Sequence, residues 1–283
     1  MKTYSAVPIS QTRYSLGESP FYDPRYKRLS WVDITAGRVY SLYDDGRTEV
    51  FDAGQHIGAA VPLERSDGFL IAGTDGLYVK EGGGMALLYD LSDVFEPFLR
   101  SNDAKADPSG RLWFGSSCDD DGHGPQGDLY RFDGRPVVMQ SRTSISNGMA
   151  WNAAQDRFFF SDSLYYAVFA YDYDRMSGSI SGRRTLFEVK DGCPDGMCID
   201  KDDRLWTAVW GGSRVECHSS VTGEKLAEIA VSAKNVTSCA FGGNDMRTLF
   251  ITSSGEGLNG RYDGCVFSCR VDAEGLPPDT VII

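Results

Sequence analysis

Short apolar and aromatic runs, broken by Asp, Asn and Gly turns, recur along the whole chain. Residues of β-branched and aromatic type in such runs favour strands, and the turn residues between them favour tight connections. Helical periodicity is not the dominant pattern. One unit repeats: a small or polar residue, a short apolar strand, a turn, then an aromatic-rich strand. It reads Glu18 to Asp33, then Asn102 to Gly115, Asn147 to Asp162 and Asp195 to Ala208, with weaker copies from Gly58 and Ser238. The starts at 18, 58, 102, 147, 195 and 238 are spaced by 40, 44, 45, 48 and 43 residues. A period of about 40–50 residues with several strands per unit predicts a β-propeller. Third strands follow at Gly37–Tyr43, Gly127–Phe132 and Tyr166–Asp172, and a fourth at Thr48–Asp52.

The reading is therefore all-β, a six-bladed β-propeller with four antiparallel strands per blade. The sixth unit has little sequence left for its fourth strand. The N-terminal Tyr4-Ser5-Ala6-Val7 is expected to supply it and close the ring. Residues 1–283 are expected to form a single domain. Two separate β-sandwiches would not need a recurrence near 45 residues.

Composition agrees. Glycine makes up 32 of 283 residues, in excess of the usual share of about 7%, as many short turns require. The formal charge of −12 opposes binding to a phosphate backbone, so no nucleic-acid partner is expected. No apolar run is long enough to span a membrane, and the N-terminus lacks the apolar stretch of a secretion signal, so a cytoplasmic protein without a membrane partner is expected. The seven cysteines show no CxxC pair, and reduced thiols are expected rather than a zinc site. A monomer is expected because propeller edges are short and protected.

The innermost strand of each blade runs along the central channel, so equivalent repeat positions meet around the axis. Those positions hold Glu18, Gly58, Asn102, Asn147, Asp195 and Ser238, five of them polar and two carboxylates. Carboxylates gathered inside a fold are costly unless a cation accompanies them. Oxygen donors favour a hard divalent ion. A water-filled polar channel would use the same residue types.

Four segments at these positions carry a resemblance: Leu16-Gly17-Glu18-Ser19-Pro20, Arg100 to Arg111, Ser146 to Trp151 and Pro194 to Asp200, with Thr237 to Gly243 in support. In these, over essentially the whole chain, the sequence resembles the family of senescence marker protein (regucalcin), gluconolactonase and luciferin-regenerating enzyme. The resemblance implies a six-bladed propeller that opens a sugar lactone, an aldono- or uronolactone, to the sugar acid. It implies one divalent metal cation (calcium, manganese, magnesium, iron(II) or zinc) held by Glu18, Asn147 and Asp195. It implies that Arg100 and Asn102 contact the sugar lactone. The family's substrate-contacting Glu has its best positional match in Asp120, one methylene shorter.

On that reading the cation polarises the carbonyl and activates a water, and Asp195 is both ligand and base. Two other activities fit the same residues: phosphotriester hydrolysis on the metal, and calcium binding without catalysis. Arg142, ahead of the Asn147 strand, is a further candidate for orienting substrate, though surface exposure is the favoured reading. Asp119 to Asp121 resemble the start of a calcium loop, but Tyr130 stands where an EF-hand needs its bidentate Glu. His56, His123 and His218 are far apart in sequence, and the metal route needs none of them. Trp206 and Trp210 share one face of a strand and are expected in the core, with sugar stacking open to Trp210.

Overall fold

A computed structural model describes residues 1–118 and 126–283. Six sheets surround a central channel. Their inner strands are Gly17–Asp23, Ile57–Pro62, Leu99–Ala106, Ser146–Trp151, Cys193–Ile199 and Asn235–Gly242, which define blades 1 to 6. Within each blade the ladders run antiparallel outward from the inner strand. Burial falls along the same direction. Gly17–Asp23 is buried throughout, whereas the outermost Thr48–Asp52 is almost wholly exposed. One 3₁₀ turn, Ser163–Tyr165, is the only helical element among the described residues, and no helix is long and apolar enough to cross a membrane.

The core lies between blades. Trp113 of blade 3 packs at 5.6 Å from Trp151 and 4.9 Å from Phe158 of blade 4. Phe21 of blade 1 meets Phe69 of blade 2 edge-on at 5.8 Å. Each large side chain removed from water in this way contributes about 1.5–3 kcal/mol. The aromatic second strands read from the sequence are thus the material of the blade-to-blade seams.

Ring closure differs in detail from the expectation. Val7–Pro8 supplies the fourth strand of blade 6, pairing Val7 with Ser268 and Pro8 with Phe267. Lys2–Ser5 instead adds a parallel fifth strand to blade 5, pairing Lys2 with Ala227 and Ser5 with Ala230. The expected segment is therefore split between two blades at Ala6, whose N–H reaches the Ala230 carbonyl at 2.9 Å. Proline at position 8 suits an outer edge, where no further N–H is needed.

The C-terminal residues form a strap that the repeat pattern does not foretell. Gly275 N–H donates to Met246 O and Lys201 N–H to Glu274 O, each at 2.8 Å. Further on, Val281 N–H donates to Pro62 O at 2.8 Å and Ile282 N–H to Gly110 O at 2.9 Å. The strap thus crosses from blades 5 and 6 to blades 2 and 3, at the ends of the inner strands remote from Glu18 and Asp195. Leu276, Pro277 and Pro278 close a cavity of about 110 Å³ in the channel there.

Candidate active site at the channel mouth

Every inner strand breaks register near its start. The irregularities fall between Glu18 and Phe21, Ile57 and Ala59, Ser101 and Ala104, Ser146 and Met149, Pro194 and Met197, and Val236 and Ser238. A bulge leaves residues unpaired and re-aims their side chains. The unpaired positions include Asn102, Asn147 and Asp195, and Glu18 sits at the edge of its own break. The repeat thus places a bulge at or directly beside each polar position that the sequence aligns. In blade 1 the backbone is strained to match, with Ser19 at φ +48° and its N–H donating to Glu18 Oε2 at 2.7 Å.

Second-strand carboxylates pin the entry to these bulges. Asp33 accepts from the N–H groups of Ser15 and Leu16 at 2.9 and 3.0 Å, just ahead of Glu18. Asp162 accepts from Ser144 N–H at 3.0 Å, just ahead of Asn147. In blade 6 the Thr237 hydroxyl donates to the carbonyl of Gly17. Two glycines let neighbouring bulges close on one another. A Cβ on Gly148 would lie 2.6 Å from Asp195 O, and one on Gly196 would lie 2.0 Å from Ser238 Oγ.

Four of the expected residues are brought together and buried: Glu18, Asn102, Asn147 and Asp195. Asn102 Nδ2 donates to Ser146 O at 3.0 Å and to Asn147 Oδ1 at 3.2 Å. Asn147 Nδ2 donates to Ser163 Oγ at 2.9 Å, whose hydroxyl donates to Pro194 O at 2.8 Å, next to Asp195. Arg100 is half-buried on the same strand as Asn102 and donates from Nη1 to Asn102 Oδ1 at 2.8 Å. Asp120 lies outside the described residues. Arg142 is exposed on the rim at φ +58°.

The electrostatics are those of an acidic cluster without enough cations. Burial pushes the Glu18 carboxyl up to about 8, with the charge of Asp103 adding to it and Arg100 opposing. Asp195 is pushed well above the carboxylate range by burial, then by Glu18 and Asp103. Asp195 Oδ1 is buried with no hydrogen-bond partner, and so is Asp103 Oδ2. Among the described residues no three of His, Cys, Asp and Glu cluster as a ligand set. The donor group instead combines two carboxylates with the Asn147 amide. An orphaned carboxylate oxygen among hard oxygen donors fits a divalent cation, which would relieve both the raised proton affinity and the missing partner.

The sequence does not point to Asp103, because simple strand alternation gives it the face opposite Asn102. The bulge between Ser101 and Ala104 removes that alternation. Asp119, Asp121 and His123 lie outside the described residues, and Trp210 is half-buried rather than in the core, whereas His218 and Trp206 are structural. His218 stacks on Phe187 at a centroid distance of 3.8 Å and pairs with Glu216 at 3.0 Å. Trp206 is buried with its indole N–H on Asp200 at 2.8 Å, as expected of a core residue. All seven cysteines are free.

The chain is similar to known proteins over nearly its whole length. A family model described as SMP-30/Gluconolactonase/LRE-like region matches residues 16–255. The chain is 33% identical to a Bacillus subtilis protein provisionally named sugar lactone lactonase YvrE, covering 96% of this chain and 97% of that one. It is 32% identical to the pentonolactonase XacC of Haloferax volcanii, covering 95% of each. A solved structure of a calcium-binding protein, regucalcin, from Agrobacterium tumefaciens superposes with a TM-score of 0.92 at 25% identity, covering 100% of this chain and 99% of that one.

Proposed function

The chain belongs to the SMP-30/gluconolactonase/LRE-like family, and from that premise we propose that it is a metal-dependent sugar lactonase. The observation that carries the proposal is the buried set Glu18, Asn147 and Asp195, with Asp195 Oδ1 left without a partner. Relatives named for lactonase and pentonolactonase activity support the substrate class. A similar structure named as a calcium-binding protein supports a divalent ion.

In this reading Glu18, Asn147 and Asp195 hold the cation. A bound divalent cation supplies Lewis-acid polarisation of the lactone carbonyl and makes a nearby water easier to deprotonate. Asp195 has two carboxylate oxygens, so one can serve as ligand while the other takes the water proton. Water adds across the acyl–oxygen bond, and the ring oxygen leaves as the hydroxyl of the sugar acid. Asn102, its Nδ2 fixed by blade 4 and its Oδ1 by Arg100, presents a rigid polar edge for a sugar hydroxyl. Arg100 orients the substrate and offsets charge at the mouth. Asp120 is assigned the remaining substrate contact on sequence position alone.

The test is a panel of aldono- and uronolactones assayed with calcium, manganese, iron(II) and zinc, before and after chelation. Hydrolysis should vanish with EDTA and return on adding metal. Asp195→Asn should lower kcat by ~10²–10³, the usual cost of removing one preorganised electrostatic group. Activity that survives both treatments refutes the proposal. Tight metal binding with no turnover of any lactone would instead support a calcium-binding role.

A further inference from the structure

Lys105 stands on the inner strand Leu99–Ala106, two residues beyond Asp103, and its side chain crosses the channel. The ammonium donates to Met149 O of blade 4 at 2.9 Å and also to Met197 O of blade 5. Met149 and Met197 each follow a candidate ligand, Asn147 and Asp195, by two residues. They are also the first residues to resume ladder pairing beyond the two bulges. Inner strands are edges, so their channel-facing carbonyls have no strand partner. One ammonium therefore ties down the two bulges that present Asn147 and Asp195, and anchors both to the strand that carries Asn102 and Asp103.

Charge gives the same residue a second reason to be there. Glu18, Asp103 and Asp195 are all buried. Arg100 acts on Glu18 from the mouth side, and Lys105 acts on Asp103 from the inner side. A glutamine amide falls one bond short of the ammonium's reach, so it would hold the two carbonyls less well, and it would leave the inner side of the cluster without a cation.

We propose that Lys105 is the positioning residue of this site, setting the separation of Asn147 and Asp195 through the Met149 and Met197 carbonyls. The inference rests on the metal-dependent reading above. It makes a prediction whose sign separates position from charge. On charge alone, deleting an ammonium near a carboxylate cluster should tighten cation binding. Loss of positioning should weaken it.

The experiment compares the parent with Lys105→Met, Lys105→Gln and Lys105→Arg by calorimetric titration with Mn²⁺, thermal unfolding and lactone kinetics. The parent should bind Mn²⁺. Lys105→Met should bind at least tenfold more weakly and lose kcat in proportion with little change in KM. Lys105→Arg, which keeps the donors and the charge, should stay within about threefold of the parent. If Lys105→Met does not fold, Lys105→Gln carries the same expectation of weakened binding. Unchanged or tighter Mn²⁺ binding in the folded neutral variants, with only a lowered unfolding temperature, overturns the proposal and leaves the lactonase reading intact. A parent that binds no Mn²⁺ overturns that reading and this inference together.

Discussion

Asn102 Nδ2 donates to Asn147 Oδ1 at 3.2 Å, joining residues 45 positions apart. That separation is one blade repeat, so the sequence period appears in the structure as a hydrogen bond across the channel mouth. Asn102 makes two further bonds, to Ser146 O and from Arg100. Its amide therefore has one defined orientation, with the NH₂ toward blade 4 and the oxygen toward Arg100.

Replacing that amide should disturb blade 4 more than its size suggests. Asn102→Asp is nearly isosteric, but it turns a donor into an acceptor facing Ser146 O and Asn147 Oδ1. It also adds a carboxylate to a cluster that is already acidic. A lost buried hydrogen bond with an unsatisfied partner costs about 1–3 kcal/mol, so kcat/KM should fall roughly 10–100-fold. Asn102→Ala, which removes the donor without adding charge, should fall less. Steady-state kinetics on the best lactone check the ranking, and equal effects would show that charge at this position is irrelevant.

Proton binding at the carboxylate cluster should tie stability to pH in the metal-free protein. Glu18 rises from 4.5 to about 8 on folding, and Asp195 shifts in the same direction. A carboxyl that binds its proton more tightly folded than unfolded makes folding less favourable as pH rises. The metal-free protein should therefore lose stability as pH rises from about 4.5 through 8, the range set by Glu18, with Asp195 acting in the same direction. Asp279, raised to about 6, adds to the same slope. Glu216, lowered to about 2, acts below that range and with the opposite sign. Metal competes with the protons, so stabilisation by metal should grow with pH over the same range. Unfolding temperatures of the metal-free and metal-saturated protein from pH 5 to 9 test this. Glu18→Gln should flatten the metal-free curve, and an unchanged slope in that variant would dissociate Glu18 from the effect.

The polar positions at repeat starts were legible because a propeller converts a sequence period into rotation about an axis. Glu18, Asn102, Asn147 and Asp195 reach the mouth for that reason alone. Asp103 and Lys105 sit in the same conspicuous run but were not legible. Their placement depends on a bulge between Ser101 and Ala104. In blades 4 and 5 the residue after the ligand is glycine, which hints at such a break, whereas Asp103 itself occupies that place in blade 3. The strap was hidden for another reason. Its backbone bonds to Pro62 and Gly110 are long-range contacts of a segment with no periodicity of its own. Motif residues were also mixed in kind. Asp107 and Asp200 stand in the segments that carry the family resemblance, yet both are bound up in turn structure.

Those two aspartates should prove to be stability residues with no part in turnover. Asp107 Oδ2 accepts from Arg111 at 3.0 Å, Trp113 Nε1 at 3.1 Å and Tyr173 Oη at 2.8 Å. Asp200 Oδ2 accepts from Arg204 Nε and Trp206 Nε1, each at 2.8 Å. Neither carboxylate is exposed. Replacing either with Ala strands a partly buried guanidinium and a buried indole N–H, at a cost of about 3–5 kcal/mol. Denaturant titration should show that loss in Asp200→Ala. The folded fraction should keep kcat within a few-fold of the parent, whereas a large drop in kcat would place Asp200 in the reaction machinery.

Gly148 and Gly196 test whether the bulges themselves set the site. Both have ordinary backbone angles, so the requirement is space rather than conformation. A methyl on Gly148 would meet Asp195 O at 2.6 Å and Met197 N at 2.7 Å, which are backbone atoms that cannot step aside. A methyl on Gly196 would meet the Oγ of Ser238 at 2.0 Å and its Cβ at 2.4 Å. The Ser238 hydroxyl can rotate away, but its Cβ moves only with the blade 6 strand. Overpacking of this kind costs about 1–3 kcal/mol. Gly148→Ala pushes directly on the strand that presents Asp195, so it should lose both metal affinity and kcat. Gly196→Ala pushes mainly on blade 6, which contributes no candidate ligand. It should lose comparable stability with a smaller loss of activity, and the double variant Gly196→Ala with Ser238→Gly should recover part of that stability. Measuring unfolding free energy and metal affinity together separates the two. Equal losses of metal affinity in both variants would show that the ring responds as one body and not blade by blade.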